Sequence, residues 1–372
     1  MKMDMHVCLV SAQATPNLTP ILASEFRPRE VILLVSKQMT AQADALELVY
    51  KKYQVKCRRE PIADVHDVAA MIEQLVNMLA DYEHLNIGLN VTGGTKLMAI
   101  AAQEAFRVAE KPIFYVSVDT NEVQFVSPRE PNIPLHNKLK IEDYLAAHGY
   151  EIVLPLQRST ANMQNFSDLT NTLILNVKSF EKAIGQINFL ANEAERNRSL
   201  RVSIKENFGP DFTKLLDMFV EAKVVQRQEN FLTFKDEDAR FYANGGWLEE
   251  HVFEVAKSIT TQDVAVNVTV QNQIGNGHAK NEIDVAILAR NRLHLIECKT
   301  RNFQGEDSHG TNALYKLDSL AAIGGLNTRG MLLSYRRLND ADRQRAKDLK
   351  IKVIEGGDLS KLKDILRDWV AK

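Results

Sequence analysis

The chain has 372 residues, 45% hydrophobic and 25% charged, which is the profile of a folded water-soluble protein with room for two or three domains. A net charge of -2 excludes a molecule-wide basic field, so any nucleic-acid surface must be local. Three scattered cysteines, Cys8, Cys57 and Cys298, argue against a disulfide framework or zinc cluster and suit a reducing cytoplasm.

No apolar run approaches the ~18 residues of a membrane span. Ala12-Gln13-Ala14 mimics a signal-peptide cleavage site, but the apolar core before it, Val7 to Val10, is too short. The opening reads instead as a first buried strand. Further apolar runs lie at Val31–Val35, Leu85–Leu89 and Pro112–Val116, alternating with helical patterns at Thr40–Tyr53, Asp64–Leu79 and Leu97–Ala109. Continuous apolar strands alternating with helices predict a mostly parallel sheet covered on both faces, with ligands bound at the strands' carboxyl ends.

The loops at those ends are polar. The first strand runs into Ser11-Ala-Gln-Ala-Thr-Pro-Asn17, the second into Ser36-Lys37, and Asn90 leads into Val91-Thr92-Gly93-Gly94-Thr95-Lys96 before a helix. Glycines admit a ligand close to the backbone, and a helix N-terminus offers free N–H groups to phosphate. The stretch is neither a Walker A loop nor a GxGxxG fingerprint, and two adjacent glycines would also make an ordinary tight turn. His66 and Asp67 read as helix capping. The polar, proline-bearing stretch Ser127–Lys138 closes this first domain, placed at residues 1–147.

Residues 148–244 look helical, at Asp168–Leu190 and Asp211–Ala222, and end in two short strands within Val224–Phe234. A winged-helix-like module and a plain helical connector fit equally. Residues 245–372 form an α+β pattern with its own core.

The strongest chemical pattern lies between Asn281 and Thr300. Two apolar strands, Ile283–Leu288 and Leu293–Cys298, flank Arg290-Asn291, which reads as a tight hairpin turn. That register sets Asp284 opposite Glu297, with Lys299 on the face of Glu297. Facing carboxylates repel unless a cation or shared proton offsets them, and an oxygen-rich pocket beside a lysine suits Mg²⁺ or Mn²⁺. An ordinary solvated hairpin, with Glu282 pairing Lys299, is the bland alternative. Arg336, Arg337, Arg343, Arg345, Lys347, Lys350 and Lys352 supply local positive charge for a phosphate backbone.

Asp284 followed by Glu297-Cys298-Lys299 resembles the PD-(D/E)xK nuclease core, although no proline precedes Asp284. The resemblance implies a helical carboxylate, either Glu249 or Glu250 of Gly246-Trp-Leu-Glu-Glu250. It also implies a polar group on the helix after the lysine strand, Lys316 or more weakly Tyr315. Asp284, Glu297, the Cys298 carbonyl and the helical glutamate would then hold one or two Mg²⁺ or Mn²⁺ ions, with Lys299 orienting the attacking water.

The Ser11…Asn17 loop and the Asn90–Lys96 stretch are similar to the CRISPR-associated Rossmann fold, or CARF, sensors. Taken with the nuclease core, the whole chain resembles the CARF nuclease effectors of type III CRISPR systems. This implies a homodimer, with cyclic oligoadenylate, cyclic tetra-adenylate in the best-known relatives, bound by Ser11, Asn17, Ser36, Thr92, Gly93, Gly94, Thr95 and Lys96. The expectation is an activated metal-dependent nuclease acting on DNA or RNA, cytoplasmic and free of any membrane partner. A ligand-responsive DNA-binding transcription regulator and a constitutive repair or restriction nuclease are the alternatives.

Overall fold

The structure is a computed structural model that describes residues 3–154, 156, 163–204, 208–259, 262–273, 280–300, 309–325 and 327–371. The first seven strands make one sheet: β1 (Met5–Leu9), β2 (Glu30–Ser36), β3 (Lys56–Ile62), β4 (Ile87–Asn90), β5 (Ile113–Ser117), β6 (Glu122–Ser127) and β7 (Ile133–Pro134), in spatial order β3-β2-β1-β4-β5-β6-β7. β1 to β5 are mutually parallel, and β6 and β7 add an antiparallel edge. Four helices join the parallel strands: α1 (Thr15–Leu22), α2 (Thr40–Lys52), α3 (Val68–Ala80) and α4 (Lys96–Val108). β1 is buried along its whole length, which explains its unbroken apolar run.

β3 escaped the hydrophobic pattern because it is an edge strand of sequence KCRREPI. Its charged side chains blunt the exposed edge. Arg58 pairs with Glu30 across the strands, and Arg59 bonds Glu47 through two 2.6 Å contacts.

α5 (Ile141–Ala147) follows, and β8 (Tyr150–Ile152) then joins a different sheet. The expected single helix over Asp168–Leu190 is three: α6 (Met163–Leu175), α7 (Val177–Phe180) and α8 (Ala183–Arg196). Asn176 interrupts the run. Its side-chain amide donates to the Thr172 carbonyl at 2.9 Å, offering that backbone group a local partner at the break. β9 (Arg201–Ser203), α9 (Pro210–Glu221), β10 (Val225–Gln228) and β11 (Phe231–Phe234) complete a winged-helix-like module whose small sheet has the order β10-β11-β9.

The third unit starts with α10 (Glu237–Phe241), a wide π-turn over Tyr242–Gly246 and α11 (Trp247–Lys257). Strands β12 (Asp263–Asn272), β13 (Lys280–Ala289), β14 (Arg292–Lys299), β15 (Arg329–Ser334) and β16 (Lys352–Glu355) form a sheet in the order β16-β15-β14-β13-β12-β8. α12 (His309–Ala321) links β14 to β15, α13 (Asp340–Asp348) links β15 to β16, and α14 (Leu362–Ala371) ends the described chain. The first and third units share a core: Val10, Leu18 and Tyr50 belong to one buried cluster with Leu295, Leu317 and Leu332. The Tyr144 hydroxyl donates to the Gly324 carbonyl at 2.7 Å across that junction. Among the described residues no helix is long and apolar enough to cross a membrane.

Candidate active site and messenger pocket

The β13–β14 hairpin turns at Arg290 and Asn291, both with positive φ (51° and 58°), the conformation of a two-residue primed turn. The ladder pairs Val285 with Ile296 and Ala289 with Arg292, so Asp284 and Glu297 sit at the next position on adjacent strands. Asp284 accepts a hydrogen bond from the Cys298 backbone N–H at 2.7 Å. Both carboxylates are buried, Glu297 to 1% exposure, in an interior that does not favour charge.

Two ammonium groups meet that charge. Lys299, two residues along β14 on the same face, approaches Glu297 Oε1 at 2.6 Å. Lys316, from α12, donates to both oxygens of Glu297 at 3.0 and 2.7 Å. Burial opposes the charge on Lys299, but Glu297 and Asp284 outweigh it and hold the ammonium well above its usual range. Burial, then the Glu297 charge, push Asp284 up to about 6, against the pull of both lysines. Burial and the Asp284 charge likewise push Glu249 far above the ordinary carboxylate range.

These groups line one cavity of about 580 Å³, within the range of small-ligand pockets. Glu249, Asp284, Glu297, Cys298, Lys299 and Lys316 all border it. Glu250 does not. It is buried on another face of α11, beside Tyr242, so of the two helical candidates the structure sets Glu249 at the cavity. Tyr315 also misses the cavity wall. It is half exposed, with the Arg345 guanidinium 5.6 Å from its ring centre.

Three carboxylates, Glu249 and Asp284 among them with raised proton affinity, and a backbone carbonyl are the donor set that a hard divalent cation takes. Among the described residues, however, no three acidic, histidine or cysteine side chains close around one point. Glu297 is turned onto its two lysines instead. The Cys298 thiol is buried, and burial together with the neighbouring carboxylates raises it far above its usual range, which leaves no thiolate for chemistry.

The basic cluster is smaller than the sequence suggests. Arg343 pairs with Asp340 and Glu355, Arg345 with Asp342, and Arg336 lies 4.0 Å from Glu181. Much of that positive charge is therefore spent inside the fold.

The strand order of the first sheet reverses between β1 and β4, which is where open parallel sheets bind ligands. The Ser11–Asn17 loop and the Thr92–Lys96 stretch leave from those two strands. Their polar groups divide in two. Asn17 is buried, donating to the Leu9 carbonyl at 2.9 Å and accepting from Asn90 at 3.0 Å. Thr92 donates to Asn90 at 2.7 Å and accepts from the Val116 N–H at 2.7 Å. Asn17, Asn90 and Thr92 thus tie the strand ends together. Gly93 lies so close to β1 that a Cβ would strike the Leu9 carbonyl oxygen, and Gly94 has φ +73°. Thr95 caps α4 by accepting from the Met98 N–H at 3.2 Å. Ser36 is buried, whereas Ser11 is half-buried and Lys96 exposed at the first turn of α4. Ser11 and Lys96 therefore keep surface open to solvent.

The sequence reading missed Glu195, Phe241, Asn244 and Asn312, which also border the nuclease cavity. Asn312 stands one helical turn before Lys316, a spacing that could have flagged it. It also missed that the Ser11–Asn17 loop meets the third unit. Gln13 reaches Gly325, just beyond α12, and a second cavity of about 220 Å³ runs between Ser11, Ala12, His148, Asn272 and Gly325.

A Rossmann-like sheet with its switch point dressed for a ligand, joined to a restriction-endonuclease-like core, is the layout of a ligand-regulated nuclease. Residues 5–144 match the family model of the Card1 CARF domain, and residues 236–372 match that of the Card1-like endonuclease domain. The chain belongs to the Card1-like CARF nucleases. Among solved structures it is similar to protein VC1899 from Vibrio cholerae, at 29% identity, with 98% of this chain and 97% of that chain covered and a TM-score of 0.88. It shares its fold with Can2 from Sulfobacillus thermosulfidooxidans, solved with cyclic tetra-adenylate, at 24% identity, 100% and 99% coverage and a TM-score of 0.82. A type III CRISPR defence DNA nuclease activated by cyclic oligoadenylate matches at 16% identity over 91% of this chain and 46% of that chain, with a TM-score of 0.54. No curated protein matches.

Proposed function

We propose that this chain is a cytoplasmic, homodimeric, Mg²⁺- or Mn²⁺-dependent nuclease that a cyclic oligoadenylate, cyclic tetra-adenylate, switches on. The observation that carries the catalytic half is the single cavity bordered by Glu249, Asp284, Glu297, Lys299 and Lys316. The Can2 structure holding cyclic tetra-adenylate supports the ring size. An exposed apolar face of α4, with Leu97, Ile100 and Val108, supports a second copy beside the messenger loops.

Glu249, Asp284, Glu297 and the Cys298 carbonyl would hold the cation, which when bound lowers the pKa of water and offsets charge on the scissile phosphate. Lys299 orients the attacking water and stabilises charge growing on the phosphate. Lys316 holds Glu297 until the phosphate competes for its ammonium group. In the messenger site Lys96 and the first turn of α4 take phosphate, while Asn17, Asn90 and Thr92 keep the loops in place.

Activation needs a path between the sites, and one candidate runs through α12. Gln13 lies in the messenger loop and touches the turn after α12, the helix that carries Lys316. A shift of that loop would move Lys316 relative to Glu297. The middle helices offer a longer route through α6, which packs on α11.

The winged-helix-like module gives the transcription-regulator reading some shape, but the exposed face of α9 bears Asp211, Asp217 and Glu221 against a lone Lys214. An acidic helix is a poor reader of DNA. The test incubates the protein and Mn²⁺ with labelled DNA and RNA, each with and without cyclic oligoadenylates. Cleavage that appears with the messenger supports this reading. Cleavage indifferent to every ring size favours the constitutive nuclease, and none at all favours the regulator.

A further inference from the structure

We propose that Asn188 and Thr300 are positioning residues for the nuclease reaction: through one buried hydrogen-bond junction, the middle module fixes where Lys299 and Glu249 stand. This rests on the nuclease reading of the cavity and extends its machinery into the middle module.

Lys299 ends β14. β15 supports that end on one side, where the Tyr335 N–H donates to the Lys299 carbonyl at 2.8 Å. On the other side the ladder with β13 runs from Ala289–Arg292 to Val285–Ile296, and beyond it the Cys298 N–H donates to the Asp284 carboxylate. The next anchor is Thr300, 5% exposed. Its hydroxyl lies against the bare backbone of Gly245, where φ is +115° and a Cβ would stand 2.5 Å from that oxygen.

Asn188, on α8 and buried, meets the same hydroxyl at 2.6 Å. The carbonyls of Ala243 and Ile184 stand at 2.8 and 3.1 Å from the other end of its amide. Carbonyls only accept, so the amide nitrogen faces them and the amide oxygen accepts from Thr300. Ala243 belongs to the π-turn that sets the phase of α11, and so the direction of Glu249. Two helical turns further along α8, the Glu195 carboxylate accepts from Asn244 of that π-turn at 3.0 Å. α8 thus grips the π-turn twice, and through Asn188 it also holds the residue next to Lys299.

An apolar side chain of similar size would fill the same space without three directional bonds. A satisfied buried polar network selects one arrangement of the parts it joins. The parts joined here both bring groups to the cavity, β14 with Lys299 and α11 with Glu249. Asn188 does not border the cavity, so its effect passes through them. Placement decides the rate, because a misplacement of about 1 Å in a catalytic geometry costs on the order of a hundredfold.

The experiment uses the full chain with cyclic tetra-adenylate and Mn²⁺, below the thermal midpoint of every variant. Thr300→Val keeps the shape of the side chain and loses the hydroxyl. It should lower kcat about tenfold to a hundredfold with KM and messenger affinity unchanged, and Thr300→Ser should retain most of the rate. Asn188→Ala, or Asn188→Leu if the first does not fold, should lower kcat by a similar factor. The double variant should fall little further, since both changes break one junction. Should Thr300→Val fail to fold, Thr300→Ala against Thr300→Ser, which differ by the hydroxyl alone, decides. A lower thermal midpoint with kcat intact in Thr300→Val would make the junction structural only and overturn the proposal. A fall in kcat that the Asn188 variant does not share would make Thr300 a direct contact, and would overturn it too. A wild-type protein that cuts no nucleic acid would overturn the nuclease reading as well.

Discussion

The two sites handle their polar groups in opposite ways. Around the messenger loops, Asn17, Asn90 and Thr92 bond one another, the Leu9 carbonyl and the Val116 N–H. Around the nuclease cavity, Glu249 and Asp284 are held against their ionisation by burial and by neighbouring negative charge. A pocket that waits for a ligand can be built from satisfied groups, at little cost in stability. A catalytic centre needs its charges in place before the substrate arrives, and the fold carries that electrostatic cost. Variants in the first site should therefore change affinity or loop geometry, and variants in the second should change chemistry.

The largest expected effect is on turnover. Asp284→Ala and Glu297→Ala should each lower messenger-activated cleavage on the order of 10³-fold or more, with calorimetry showing messenger affinity unchanged. Retained cleavage in either variant would remove it from the catalytic set. Glu249→Gln against Glu250→Gln divides the helical pair. The first should lose cleavage, while the second should act mainly on stability, read as a thermal midpoint, because Glu250 is buried away from the cavity.

Next come the messenger loops. Lys96 is exposed, and a charge-assisted bond to phosphate contributes about 1.5–3 kcal/mol. Lys96→Ala should weaken cyclic tetra-adenylate binding about tenfold to a hundredfold without moving the thermal midpoint. Asn17→Ala strips buried partners from Leu9 and Asn90, and should cost roughly 1–3 kcal/mol of stability. If denaturant titration shows Asn17→Ala as stable as wild type, the division between shaping and contacting residues fails.

The smallest effect concerns pH. Asp284 has a folded pKa near 6, above its ordinary value of 3.8, so the folded state binds this proton more tightly than the unfolded state. Its contribution therefore turns unfavourable as pH rises through about 4 to 6 and stays so above. Lys299, raised in the folded state, contributes stability across that whole window and does not change its position. Asp284→Asn should match wild type near pH 4 and exceed it by about 1–3 kcal/mol at pH 7.5, before any cation is added. A constant difference across the range would show that Asp284 is not held against its ionisation.

The hairpin was legible because one feature fixes it. Arg290-Asn291 can only be the turn, and period-two alternation then sets Asp284 and Glu297 face to face. The parallel sheet was legible because strands buried on both faces are apolar throughout. β3 was not, since an edge strand that carries Arg58, Arg59 and Glu60 has no apolar run to read. Adjacent residues on a helix point about 100° apart, so choosing Glu249 over Glu250 depends on the phase of α11. That phase is set by the π-turn before it, which no periodicity announces. Sequence shows the polarity of Asn17 and Thr92 but not the hydrogen bonds they make to Leu9, Asn90 and Val116. Phe241 went unnoticed because an aromatic in a helical stretch is usually core.

The central claim is that the two sites are coupled, and a dose–response titration tests it most directly. Cleavage of a labelled substrate with Mn²⁺ is followed against cyclic tetra-adenylate for wild type, Lys96→Ala and Glu297→Ala. Wild type should be nearly silent without the messenger and rise strongly with it. Lys96→Ala should need about tenfold to a hundredfold more messenger yet reach a similar maximum, and Glu297→Ala should stay inactive at every dose. Cleavage that is the same with and without the messenger in the wild-type protein would contradict the coupling.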